Sequence, residues 1–360
     1  MGRRLDLYLA QGLLTPGIST RGTLIPAGPL AGMVLLMSAL LMLAAPNVEA
    51  SQGDPPKGTF TLHFENDVLG TDDSDRHYTN GLQLSYRTGE NRVWGWLDGW
   101  ARRHYFLEPD VKLHAGMALG QNLYTPEDID TTELVADDRP YAAWLHADLG
   151  LTGSTGDILR TMELSFGVVG PAAGGKELQK WFHKIIDSPD PRGWHNQLNN
   201  ELTLMLVFEQ KWRNISETGL LGLEVDLSPH GSVALGNVFT YGGVGGTIRL
   251  GHGLERDFGP PRIQPAPPGS GCMVSGKGFG WYLFGGVDGR LMLRNLFLDG
   301  NMFSTSHSVD KNPLVGDLVG GLAVSGLGMR VGLVYVNRTP EFKGQHSPDH
   351  FGSITISVKF

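Results

Sequence analysis

The eight residues Ser353-Ile354-Thr355-Ile356-Ser357-Val358-Lys359-Phe360 alternate polar and apolar without a break. A period of two puts Ile354, Ile356, Val358 and Phe360 on one face of a β-strand and Ser353, Thr355, Ser357 and Lys359 on the other. The pattern recurs upstream. Met162, Leu164, Phe166 and Val168 alternate with Thr161, Glu163, Ser165 and Gly167, and the segment 111–120 does the same. A soluble sandwich would also alternate. Three features turn the reading toward an all-β transmembrane barrel: strands of about ten residues, the length of a tilted membrane strand; a secretory start; and a strand that closes on the aromatic Phe360.

Working outward, the alternation predicts twelve antiparallel strands at 59–67, 79–88, 112–122, 141–152, 160–170, 199–213, 217–229, 233–252, 279–296, 315–324, 328–338 and 350–360. An even count is what single-chain bacterial barrels use. With both termini in the periplasm, the outer connections are 68–78, 123–140, 171–198, 230–232, 297–314 and 339–349. The periplasmic ones are 89–111, 153–159, 214–216, 253–278 and 325–327. Tyr86, Trp144, Trp212, Trp281 and Tyr335 are candidates for the aromatic girdles. Connection 89–111 carries Trp94, Trp96 and Trp100 with Arg92, Arg102 and Arg103, a composition that suits either the inner membrane surface or a solvated loop.

Composition sets the outer limits. Charged residues are 18%, below the ~25% of soluble domains, and glycine is 51 of 360. The single cysteine, Cys272, excludes an internal disulfide and a cysteine-based zinc site. The only long apolar run is 31–45, too short for a membrane helix; arginines precede it and Val48-Glu49-Ala50 follows it. Residues 1–50 therefore read as a signal peptide cleaved after Ala50, and 51–360 as the barrel. The leader carries three arginines against Asp6 and Glu49, so the chain changes from −8 to −9 on cleavage, which excludes a general nucleic-acid binder.

Polar groups concentrate at the outer rim. Glu65-Asn66-Asp67 ends the first strand, 72–81 leads into the second, and Asp137-Asp138-Arg139-Pro140-Tyr141 enters the fourth. Strand parity puts Asp67 with Thr61, His63 and Glu65, and Thr79 with Gln83, Ser85 and Arg87. Within 171–198, Leu178, Phe182, Ile185 and Ile186 form a helical stripe, and Gln179 and His183 share an adjoining face. A short α-helix in an extracellular loop could thus bring His183 over Asn66, Asp67 and Thr79. His77 and His195 are the alternative bases. Asp72, Asp73 and Asp75 lack the glycine and glutamate of an EF-hand loop. Asp67, Arg76, Asp138 and Arg139 could instead be ion pairs filling a barrel mouth.

The stretches FENDVLGTDDSDRHYTNG, GQNLYTPEDI, DDRPYAAWL, VVGPAAGGKELQKWFHKII and GWHNQLNNE, in that order from residue 64 to about 201, resemble the lipid A 3′-O-deacylase family of outer-membrane enzymes. The resemblance implies a twelve-stranded barrel and calcium-dependent removal of the ester-linked acyl chain at the 3′ position of lipid A. It also implies lipopolysaccharide and outer-membrane lipids as partners; a monomer is the expectation set beside it. The family's Asn-Asp pair falls on Asn66 and Asp67, its Tyr-Thr on Tyr78 and Thr79, and its helical Gln and His on Gln179 and His183, with Asp67 as the Ca2+ ligand. The family's lysine and further carboxylate have no clear counterpart; the sixth position after His183 is Pro189. The chemistry agrees: ester hydrolysis needs a base for water and charge near the developing oxyanion. Two other readings stand beside it. An outer-membrane phospholipase would use a serine such as Ser74 or Ser188, and a pore or adhesin would use no catalyst.

Overall fold

A computed structural model describes residues 58–69, 76–108, 110–216, 222–259 and 278–360. The signal-peptide segment, the acidic residues Asp72, Asp73 and Asp75, Ser74 and Cys272 lie outside them. The strands are β1 Gly58–Asn66, β2 His77–Thr88, β3 Lys112–Thr125, β4 Ala142–Thr155, β5 Ile158–Val169, β6 Glu201–Trp212, β7 Glu224–Gly236, β8 Phe239–His252, β9 Gly280–Asn295, β10 Leu314–Gly326, β11 Met329–Arg338 and β12 Asp349–Lys359. Ile215–Ser216 continues β6 past a break and pairs with Asp226 and Val225 of β7. Each strand pairs antiparallel with its sequence neighbours. Pairing of β1 with β12, from Thr59↔Lys359 to Asn66↔Gly352, closes the barrel. Among the described residues no helix is long and apolar enough to cross a membrane.

The two faces are reversed relative to a soluble sandwich. In β12, Ser353, Thr355 and Ser357 are buried inside. The large apolar side chains face outward: Leu204 is 59% exposed, Ile248 55%, Leu283 52% and Leu318 60%. So wide an apolar surface is stable only against lipid. Inside, buried ion pairs sit beside an aromatic-rich apolar cluster that includes Tyr241, Tyr282, Phe284 and Phe351. Asp317 joins Arg290 and Arg338, and Arg249 joins Asp226 and Asp257, both at 2.7 Å. Burying such charges is tolerated because each is paired and hydrogen-bonded. At the outer end a one-turn helix, Leu296–Asp299, sets its fully buried Phe297 on Tyr124 at 3.9 Å between ring centres.

Two-residue turns, Gly156-Asp157 and Leu327-Gly328, gather at the end holding the start of β1 and the end of β12. That end is periplasmic. Phe60, Tyr86 and Phe360 cluster there at 5.0–6.2 Å. Among the described residues two longer α-helices also lie in connections: α1 Gly95–His104 on the periplasmic side and α2 Gly175–Ile186 on the outer side.

Three expectations need correction. The predicted outer connection 230–232 lies inside β7; the chain turns at Asn237-Val238. Pro229-His230-Gly231 looks like a breaker, but the ladder from β6 stops at His230, so Pro229 owes it no N–H. Trp144 is no girdle residue: it is buried inside, stacked on His146 at 4.0 Å, with its indole N–H donated to Thr203 at 2.9 Å. The parity argument for Asp67 and Thr79 also fails. Asp67 starts a 3-10 turn beyond β1, and the β2–β3 register slips between Tyr78 and Asn80, making Thr79 a bulge residue.

Candidate active site

At the end of β1, Asn66 and Asp67 tie the strand to the start of β2. Asn66 donates Nδ2 to the Thr79 carbonyl at 2.9 Å and accepts the Val68 N–H on Oδ1 at 2.9 Å. Asp67 accepts the backbone N–H of Val68 and that of Arg76, each at 2.9 Å. The Thr79 hydroxyl pairs with that of Thr125 at 2.7 Å. All three residues are buried.

Their chain neighbours are bolted together on the inner side of the wall. Tyr78 donates its hydroxyl to Glu65, and Asn122 donates to the Tyr78 oxygen at 3.1 Å. His146 continues the chain, pairing with Asn122 at 3.1 Å and Asp148 at 2.8 Å. His63 pairs with Glu65 at 2.9 Å. Along β1, alternation explains the arrangement: Glu65 grips the interior while Asn66 serves the candidate site.

Helix α2 packs on the outer surface of the wall. Gly174 begins it with φ +70°, a conformation suited to glycine. At Gly175 a Cβ would sit 2.4 Å from the Ala143 Cβ and 2.6 Å from the Trp194 ring, so only glycine lets the helix approach β4 this closely. Beneath it lie Leu123, Tyr141, Ala143, Ala173 and Trp194. Phe182 meets Phe64 at 6.5 Å between ring centres, which sets the His183 end of α2 against β1, two residues before Asn66.

Two contacts fix the polar face of α2. Trp194 donates its indole N–H to Gln179 Oε1 at 2.7 Å. The amide Nε2 of Gln179 is buried and has no hydrogen-bond partner among the described residues. His183 Nδ1 lies 2.5 Å from the Pro189 carbonyl oxygen. The place where the sequence offered no carboxylate is thus served by a backbone carbonyl. His183 is buried, whereas His195 is exposed. His77 is engaged elsewhere, clamped between Asp349 at 2.5 Å and Asp138 at 3.5 Å. Arg139 joins Glu341 at 3.1 Å and Arg76 joins Glu127 at 3.1 Å, so these cations do belong to the barrel mouth. The sequence reading missed Trp194 and Pro189 as site residues. Trp194 stood in a quoted motif; a carbonyl has no sequence signature.

For a metal, the candidate donors around Asp67 are oxygens: its carboxylate, the Asn66 amide oxygen and nearby carbonyls. Hard oxygen donors suit calcium. Among the described residues no group of three or more His, Cys, Asp or Glu is placed to hold an ion, so a shell here would be completed by carbonyls, hydroxyls and water.

A family model described as "Outer membrane protein LpxR" matches residues 34–360. Among solved structures, LpxR from Salmonella typhimurium is similar at 22% identity and a TM-score of 0.70, over 84% of this chain and 100% of that one. The β domain of the Bordetella autotransporter BrkA matches at 11% identity and TM-score 0.38, covering 85% of this chain and 100% of that one. The translocator domain of NalP from Neisseria meningitidis matches at 12% and 0.37, covering 92% and 97%. No curated protein matches the chain. The Salmonella likeness establishes the twelve-stranded outer-membrane barrel.

Proposed function

The chain belongs to the outer membrane protein LpxR family, a family of lipid A deacylases of the Gram-negative outer membrane, and we propose that it hydrolyses the 3′-linked acyl ester of lipid A with His183 as the base that activates water. The observation that carries this reading is the contact of His183 Nδ1 with the Pro189 carbonyl. A carbonyl oxygen only accepts, so Nδ1 holds the hydrogen and Nε2 carries the lone pair. That tautomer suits general-base chemistry. Nε2 takes a proton from water as the water oxygen attacks the ester carbon, then returns it to the departing sugar oxygen.

Gln179 supplies a donor. Trp194 occupies its oxygen, which turns Nε2 outward from that bond as an N–H for the oxyanion or the attacking water. Asn66 and Thr79 hold the β1–β2 edge on which the ester would rest. Asp67, with neighbouring oxygens, would hold calcium, which when bound would polarise the ester carbonyl. The placement of α2 against the lipid-facing wall at the outer end suits a substrate that occupies the outer leaflet. Mass spectrometry of lipid A from cells with and without the protein tests the reading: loss of one 3′-linked acyl group is expected, and an unchanged lipid A mass would overturn it.

A further inference from the structure

Helix α1 takes no part in the proposed chemistry, and it lies at the opposite end of the barrel. Its inner stripe, Val93, Leu97, Ala101 and Tyr105, covers Leu113 of β3, Leu151 of β4 and Met162 of β5. Those positions share strand parity with Met117, Leu149 and Leu164, which are 46%, 49% and 39% exposed on the lipid-facing wall. The Tyr105 ring also meets Phe208 of β6 at 5.8 Å. The helix is therefore laid on the outside of the wall, near the periplasmic ends of β3 to β5, and not beneath the barrel.

Its other face carries Trp94 at 58% exposure, Trp96 at 74% and Trp100 at 42%. This surface continues the lipid-facing belt at the level of the periplasmic aromatic cluster of Phe60, Tyr86 and Phe360; Tyr86 is registered opposite Met117. Three exposed indoles in one short segment are costly in water and favoured at a headgroup boundary. The cations beside them divide in two. Arg102 is engaged by Asp98 at 3.0 Å and by Asn91 at 3.1 Å. The guanidinium groups of Arg92 and Arg103 are exposed and have no partner among the described residues.

We propose that segment 92–104 is a lipid-binding anchor for the periplasmic leaflet, with Trp94, Trp96 and Trp100 seated at the acyl–headgroup boundary and Arg92 and Arg103 binding the phosphates of anionic phospholipid. The occupant is a phospholipid because the apolar face is continuous with the membrane belt. It is anionic because the free charges are both positive. A basic residue near an anionic surface gains ~1 kcal/mol, equivalent to roughly fivefold enrichment per arginine.

The test uses the full mature chain folded into vesicles that carry a small share of brominated lipid, either phosphatidylglycerol or phosphatidylethanolamine. Heat-dependent gel migration confirms a folded barrel for every variant. Brominated phosphatidylglycerol should quench tryptophan fluorescence severalfold more than brominated phosphatidylethanolamine. Trp94→Phe/Trp96→Phe/Trp100→Phe should remove that difference, and so should Arg92→Glu/Arg103→Glu, while glycerol phosphate in solution should not compete. Equal quenching by the two lipids in the wild type would overturn the anionic preference. Quenching of these tryptophans by aqueous iodide with none by lipid would place the face in water or against a soluble partner and overturn the anchor. Competition by glycerol phosphate would show a site for free phosphate instead.

Discussion

Replacing Trp194 by phenylalanine tests whether α2 is held in working geometry by a single buried hydrogen bond. The indole donates to Gln179 Oε1 at 2.7 Å, and both side chains are buried. Gln179 Nε2 already lacks a partner among the described residues, so Trp194→Phe leaves the whole amide unsatisfied. Stranding a buried acceptor costs about 1–3 kcal/mol, and the smaller ring adds roughly 1 kcal/mol of cavity against Tyr141 and Ala143. The loss of about 2–4 kcal/mol should fall on the loop, because the barrel is held by its own strand ladder. Hydrogen exchange of residues 175–186 should therefore speed up by about 30- to 700-fold, at 1.4 kcal/mol per decade. Strand exchange and heat-dependent migration should not change, and deacylation should fall at least tenfold. Gln179→Leu in the same background should restore protection, since no polar group is then stranded, but not activity. Unchanged exchange in α2 with full activity would refute the reasoning.

Asp67→Ala should abolish turnover in a folded barrel, and chelation of wild type should do so reversibly; full activity in excess chelator would remove calcium from the account. Tyr78→Phe breaks the inner bolt to Glu65 without touching lipid. It should lower kcat about tenfold with little change in KM, whereas a merely structural role would leave the kcat of the folded fraction unchanged. Burial alone would raise the Asp138 carboxyl, but the His77 hydrogen bond and the backbone N–H groups of Glu127 and Arg139 hold it below the ordinary aspartate value. A carboxyl depressed in the folded state contributes stability above its unfolded pKa and loses it as pH falls through the folded one. Loop 126–141 should thus stay protected from pH 7 down to about 4 and loosen below, with Asp138→Asn showing no such pH dependence.

The barrel was legible because a membrane strand keeps a strict period of two, as in 353–360, whichever face is apolar. Breakers mislead where the fold absorbs them: Pro229 lies past the end of the ladder from β6, so the sequence pattern puts the turn about seven residues early and makes β8 too long. Thr79 could not be placed by counting, since a bulge shifts parity without changing the sequence. Helix α1 was hidden by its own tryptophans, although Val93, Leu97, Ala101 and Tyr105 recur every four residues. The choice between His183 and His195 rested on a helical face, and burial follows it: His183 is enclosed and His195 is exposed. The Pro189 carbonyl was beyond reach, because its identity lies in the path of the backbone.

The central claim is that His183 activates the water. As a general base it contributes about 10²–10⁴-fold to rate. The direct measurement is the mass of lipid A from cells expressing His183→Ala or His195→Ala, with each barrel confirmed as folded by heat-dependent migration. The account predicts that His183→Ala leaves the 3′ acyl chain in place while His195→Ala removes it like the wild type. Deacylation by His183→Ala at the wild-type level, or its loss in His195→Ala alone, would contradict the account.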